Sequence, residues 1–128
     1  KVRVFYNTCT HWGANVCRVD EGNADVFQCF YHAWTFNNKG ELVSTPDDPG
    51  YAAGFDKKEL GLGSPPRLEN YRGLYFVSFN PDVADLENYL SGAKEYLNLI
   101  LDQSDQGWHV VPGTQKYAVR ANWKMFSI

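Results

Sequence analysis

"NTCTHWGANVC" (residues 7–17) and "CFYHAW" (residues 29–34) decide how this chain is read. In the first, Cys9 and His11 stand two apart in a stretch poor in charge. In the second, Cys29 and His32 stand three apart. Together they spell C-x-H-x17-C-x-x-H, so two short loops each offer one thiol and one imidazole. Thiolate and imidazole together suit zinc or iron–sulfur chemistry. Zinc fingers usually pair like with like, two Cys and then two His. The mixed pairs here fit a [2Fe–2S] cluster in which one iron takes Cys9 and Cys29 and the other His11 and His32. A structural zinc site stays open as the alternative.

The rest of the composition narrows the setting. At 128 residues the chain has the length of about one domain. Hydrophobic residues make up 44% and aromatics 16%, enough for a core, and the charged share of 21% is ordinary for a globular chain. A net charge of −3 without any Lys/Arg-rich run argues against nucleic acid as partner. No stretch approaches the roughly 18 apolar residues of a membrane span, and no signal-peptide pattern opens at Lys1. Three cysteines, an odd number, do not read as a disulfide framework. Cys17, outside the pattern, is expected to be a small buried apolar residue. His109 is expected at the surface or in ordinary packing.

Along the chain, "KVRVFYNT" (1–8) alternates as a strand does. "NNKG" between "WTF" and "ELV" marks a hairpin over 35–43. "RG" between "RLENY" and "LYFVSF" marks a second. Residues 44–66, with "TPDDPGY" and "GLGSPP", form a long irregular excursion; its "DKKEL" (56–60) reads as a mixed-charge solvated turn, or less simply as a docking patch. From Asp85 the period changes. Leu86, Tyr89, Leu90, Ala93, Leu97 and Ile100 predict one helix to about Leu101, capped by Asp82 or Asp85, with Asp85, Glu87 and Glu95 as its solvated face. Tyr117, Val119, Ala121 and Trp123 then predict a strand with one apolar face. The expected fold is mainly β: a small domain of stacked antiparallel sheets with two cluster-binding loops, then a helix and the first strand of an α+β domain. The boundaries expected are 1–80, a connecting helix region 81–107, and 108–128. The missing initial Met and the strand-like "NWKMFSI" at the end read as a piece of a longer protein.

The paired motif resembles the Rieske pattern. Its surroundings, "CTHWGANVC", "GNADVFQC", "CFYHAWTFNNKGELVSTP", "FDKKELGL" and "ANWK", resemble the α subunit of bacterial aromatic-ring-hydroxylating dioxygenases over essentially the whole chain. Two departures stand out: Trp12-Gly13 where that family usually has Arg-Gly, and Ala33 where it usually has Gly. Neither removes a ligand. The indole replaces a cation beside the cluster, which bears on potential and docking. The extra methyl at Ala33 is tolerable if φ there is negative.

The resemblance implies a [2Fe–2S] cluster on Cys9, His11, Cys29 and His32, with Trp34 packed beneath it. It implies one-electron supply from a ferredoxin or an NADH-fed reductase, and delivery to a mononuclear Fe(II) that adds both atoms of O2 to an aromatic ring. It also implies a cytoplasmic bacterial α subunit, oligomeric with or without a β subunit. With two of three histidines spent, His109 alone cannot supply the two-His, one-carboxylate iron site, so that site is expected outside this chain. Two neutral imidazoles in place of thiolates remove two negative charges from a cluster, which puts such centres at roughly −150 to +300 mV. The alternatives are a free-standing Rieske ferredoxin, expected to stop soon after "LYFVSF", and a Rieske monooxygenase or demethylase.

Overall fold

Phe36 explains the first sheet. It is fully buried at the middle of β2 (Thr35–Asn37), between Phe27 of β1 (Val26–Gln28) and Leu42 of β3 (Leu42–Ser44). The three strands pair antiparallel in the order β1-β2-β3. These relations are seen in a computed structural model that describes residues 1–126. Around Phe36 the core gathers Cys9, Val16, Cys29, Trp34 and Leu42, with Ala14, Phe27, Tyr51, Phe55, Leu60 and Leu62 packed against them. The second sheet is the hairpin of β4 (Arg67–Tyr71) and β5 (Leu74–Ser78). Its two-residue link, Arg72-Gly73, has φ of +51° and +93°, the double left-handed geometry that matches strand twist in tight hairpins. Both hairpins and the antiparallel β architecture therefore stand as expected.

Gly40 shows how the irregular excursion is held. It closes the β2–β3 turn with φ +82°, a conformation that glycine takes without penalty. Its carbonyl accepts the Leu62 N–H at 2.7 Å. A β-carbon on Gly40 would lie 2.4 Å from the Phe5 ring, and one on Gly61 would lie 2.8 Å from the Gly40 carbonyl oxygen. Three segments thus meet where no side chain fits.

Four expectations need correction. Residues 1–8 form no strand: the Tyr6 N–H reaches the Gly63 carbonyl at 2.7 Å, but alternation without a neighbouring ladder does not make a sheet. The single helix is two, α1 (Leu86–Leu90) and α2 (Ala93–Leu101). Ser91, at φ +45°, and Gly92 interrupt it, both poor helix residues. In α2, Leu101 is buried while Ile100 is exposed. Residues 108–122 form no strand either; Val110, Val111 and Tyr117 are each at least 75% exposed, and no described segment pairs with them. An unpaired strand has no partner for its backbone groups. The Trp123 side chain and residues 127–128 lie outside the description. The chain divides into two compact units, Lys1–Ser91 and Gly92–Ile128, so α1 belongs to the first and α2 to the second.

Within the first unit, α1 is fastened to β4 by one carboxylate. Glu69 Oε1 receives Arg67 Nη2 at 2.6 Å, and Oε2 receives the Leu86 N–H at 3.0 Å. Asp85 caps the helix by accepting the Asn88 N–H at 3.0 Å, so this member of the expected solvated face has a structural task. The Arg67 hydrogen bond, then the Leu86 N–H, hold the Glu69 carboxyl below its usual pKa. Its contribution is therefore present above the ordinary carboxylate range and is lost as pH falls through the depressed value.

Two predictions follow from these contacts. Gly40→Ala should destabilise the fold by roughly 2–4 kcal/mol, from the left-handed backbone and the Phe5 overlap. An unchanged urea midpoint would show that the three-segment junction does not exist. The Leu86 amide proton should shift, by NMR, with a midpoint below the usual glutamate value, and Glu69→Gln should abolish that titration.

Candidate metal centre

The two loops that carry the candidate ligands share one backbone frame. In the first, the Cys9 N–H donates to the Ala14 carbonyl at 2.8 Å, and the Gly13 N–H donates to the Cys9 carbonyl at 2.8 Å. In the second, the Cys29 N–H donates to the Trp34 carbonyl at 2.8 Å, and the Ala33 N–H to the Cys29 carbonyl at 2.9 Å. Each loop thus bonds its cysteine to the residues four and five positions on, and the fourth has positive φ in both: Gly13 at +76° and Ala33 at +56°. The negative φ that would let Ala33 carry its methyl group without strain is not found. Closing the frame requires the left-handed turn whatever residue occupies it, and for alanine that costs about 1–2 kcal/mol.

This frame buries the thiols and gathers the rings. Cys9 and Cys29 are each 2% exposed and belong to the hydrophobic core. Burial pushes the Cys9 thiol up, opposed by the backbone N–H groups of His11 and Trp12; the neighbouring Cys29 thiol pushes it up further. Those N–H groups favour a thiolate, so the site suits a ligand that displaces the proton. His11 and His32 lie with ring centroids 4.7 Å apart at 74°. Burial, and then the neighbouring His32, push the His11 pKa down, which favours the neutral imidazole, the form that binds metal. His11 Nδ1 is buried with no hydrogen-bond partner. A buried polar atom left this way is costly unless something else engages it.

The pairing is thiol with thiol and imidazole with imidazole. Among the described residues no three His, Cys, Asp or Glu side chains converge on one point, as a single zinc ion would require. Two buried thiols, two adjacent rings and an orphaned ring nitrogen fit a two-iron cluster. When bound, such a cluster supplies a site that accepts and releases one electron at a time.

Trp34 lies against the imidazole side of the site. It is 3% exposed and stacks on the His11 ring at 4.7 Å and 10°. Its Nε1–H donates to Tyr51 Oη at 3.2 Å. Tyr51 in turn stacks on Phe55 at 4.1 Å, so the excursion backs the His11 ring through Trp34. Sequence reasoning did not find Tyr51. A buried indole N–H signals a partner somewhere, but the irregular stretch gives no register by which to locate it. The "DKKEL" segment includes the turn Lys57–Leu60, capped by Asp56, and its Leu60 carbonyl receives the Thr10 hydroxyl at 2.7 Å. It therefore braces the first loop. Cys17 is half-buried, not fully buried as expected, because the chain there runs along the surface; its Sγ faces the Val19 carbonyl at 3.5 Å. His109 is exposed.

The outer side of the site is aromatic. A depression of about 390 Å³ is lined by His11, His32, Phe30, Tyr31, Trp34 and Tyr51, among others. His32 is exposed, with Tyr31 packed on its ring at 3.9 Å. Trp12, 71% exposed, meets the His11 ring edge-on at 5.7 Å.

Comparison with known proteins agrees with this geometry. Residues 1–66 match the family model described as the Rieske [2Fe-2S] domain. The chain is 40% identical over 124 residues to the α subunit of biphenyl 2,3-dioxygenase from Rhodococcus jostii (strain RHA1), covering 97% of this chain and 27% of that one. Among solved structures it is similar to naphthalene 1,2-dioxygenase from Rhodococcus sp. bound to indole, with TM-score 0.85, 41% identity, 97% of this chain and 28% of the other. It is also similar to a quaternary ammonium Rieske monooxygenase, with TM-score 0.68, 30% identity, 78% of this chain and 29% of the other. The chain spans a little over a quarter of the length of these relatives.

Purified protein should contain two iron and two acid-labile sulfide per chain, the content of one such cluster. Cys17→Ser should leave both at full level; Cys9→Ser, Cys29→Ser, His11→Ala and His32→Ala should each remove the cluster or change the EPR spectrum of its reduced form. Stoichiometric zinc without sulfide, in protein made with ample iron, would refute the assignment.

Proposed function

The chain belongs to the Rieske [2Fe-2S] domain family, and on that premise we propose that it is the electron-carrying portion of an aromatic-ring-hydroxylating dioxygenase α subunit. The observation that carries this reading is the paired arrangement: Cys9 beside Cys29 in the core, His11 beside His32 toward the rim, on two loops with one backbone frame. In this reading Cys9 and Cys29 hold one iron and His11 and His32 the other. The protein's part is to keep both sulfur atoms dry, to favour the neutral form of the His11 imidazole, and to leave His32 open to a partner. Trp34 fixes the plane of the His11 ring from below.

The similarity to a dioxygenase α subunit extends over 97% of the chain, and so takes in both helices. That extent favours an oxygenase subunit over a free-standing ferredoxin. In the whole protein we assign residues 1–80 to the cluster domain, 81–107 to a connecting helical region and 108–128 to the opening of the catalytic domain. That domain would hold a mononuclear iron that activates O2 toward an aromatic ring. The donor would be a ferredoxin or an NADH-fed reductase meeting the aromatic rim, and the α subunits would be oligomeric. No helix among the described residues is long and apolar enough to cross a membrane; we place the protein in the bacterial cytoplasm.

The chain has three histidines, two of them committed to the cluster in this reading. Loaded with cluster and supplied with reductant, O2 and benzene or biphenyl, it should take up one electron, seen by EPR, and form no dihydrodiol. Chromatographic detection of a dihydrodiol from this chain alone would overturn the placement of the catalytic iron outside it.

A further inference from the structure

The two cluster loops share a frame but are held shut by different means. Behind the second loop stands a ladder: β1 and β2 pair with Gln28 opposite Thr35, and Gln28 Nε2 donates to Thr35 Oγ1 at 3.3 Å. The first loop has no such support, since residues 1–25 form no strand. Its ends meet through a side chain. Asn7 Nδ2 donates to the Cys17 carbonyl at 2.7 Å, and the Cys17 N–H donates to Asn7 Oδ1 at 2.7 Å.

A carboxamide carries a donor and an acceptor side by side, as a peptide group does. The reciprocal pair is therefore a side-chain copy of the hydrogen-bonded pair in an antiparallel ladder. It encloses Cys9 and His11, and Thr10 between them is tied to the Leu60 carbonyl. These contacts fix the first loop from two sides, and both are made by groups other than the four proposed ligand side chains.

We infer that Asn7 is a positioning residue: by clamping the backbone of Cys17 it takes the place of the missing ladder and sets where His11 presents its imidazole. This rests on the reading that Cys9 and His11 are ligands. Aspartate at this position has the same shape but no donor, and its second oxygen would face the Cys17 carbonyl oxygen. A role in filling space would tolerate Asn7→Asp; a clamping role would not.

The test uses the cluster-loaded full-length protein, with iron release to a chelator at pH 7.5 and the g-values of the reduced cluster as readouts. Asn7→Ala, which loses two ordinary hydrogen bonds, and Asn7→Asp, which loses one and sets an oxygen against the Cys17 carbonyl oxygen, should both release iron about tenfold faster than wild type. Both should also shift the g-values, which overall loosening of the fold would not move. If Asn7→Ala does not accumulate, the isosteric Asn7→Asp decides alone. A wild-type release rate and spectrum in Asn7→Asp would overturn the inference while leaving the ligand assignment intact. Wild-type protein with no iron and sulfide would overturn both.

Discussion

The core of the first unit is built around two buried sulfur atoms. Cys9 and Cys29 are core residues in the plain sense: each is 2% exposed and packs with Phe36, Trp34 and Leu42. A core residue is normally there to be apolar. In the proposed reading these two would also hold negative charge with metal bound, and an unpaired buried charge is severely costly. The backbone N–H groups of His11 and Trp12, which favour the ionised Cys9 thiol, meet part of that demand. A metal meets the rest. The sheet, the excursion and the glycine junction at Gly40 keep water away from that arrangement.

The site was legible because its chemistry is local in sequence. Cys9 and His11, or Cys29 and His32, are separated by one or two residues, and residue type alone states what they can bind. The hairpins were legible for the same reason: Arg72-Gly73 and the turn before Glu41 carry their own geometry. The Asp85 cap was legible because capping is a contact over three residues. The failures all depend on distant partners or on backbone angles. Residues 1–8 alternate properly but lack a ladder, and so do residues 117–123. The apolar period through Leu86 and Ile100 gave no weight to Ser91-Gly92, where the helix ladder stops. The angle at Ala33 follows from closing the loop and cannot be read from an alanine. The clamp at Asn7 and the brace at Tyr51 join segments whose proximity exists only after folding.

The electrostatics of the site differ between its two halves. On the thiol side, burial and the neighbouring sulfur oppose ionisation, while amide dipoles assist it. On the imidazole side, burial and the neighbouring ring both favour the neutral form of His11. The half that must become charged thus receives dipoles, and the half that must stay neutral receives an aromatic face, Trp34. The exposed indole of Trp12 continues that apolar character outward.

The histidine follows its cysteine by two residues in one loop and by three in the other, on the same backbone frame. On a curved chain, one residue of offset is a change of direction as well as of position. His11 turns inward, half-buried and laid against Trp34, while His32 turns outward, exposed beside Tyr31. Two loops that could have produced a symmetric cradle instead give the centre a back and a front. A single inserted or deleted residue between Cys29 and His32 would be enough to turn that front elsewhere.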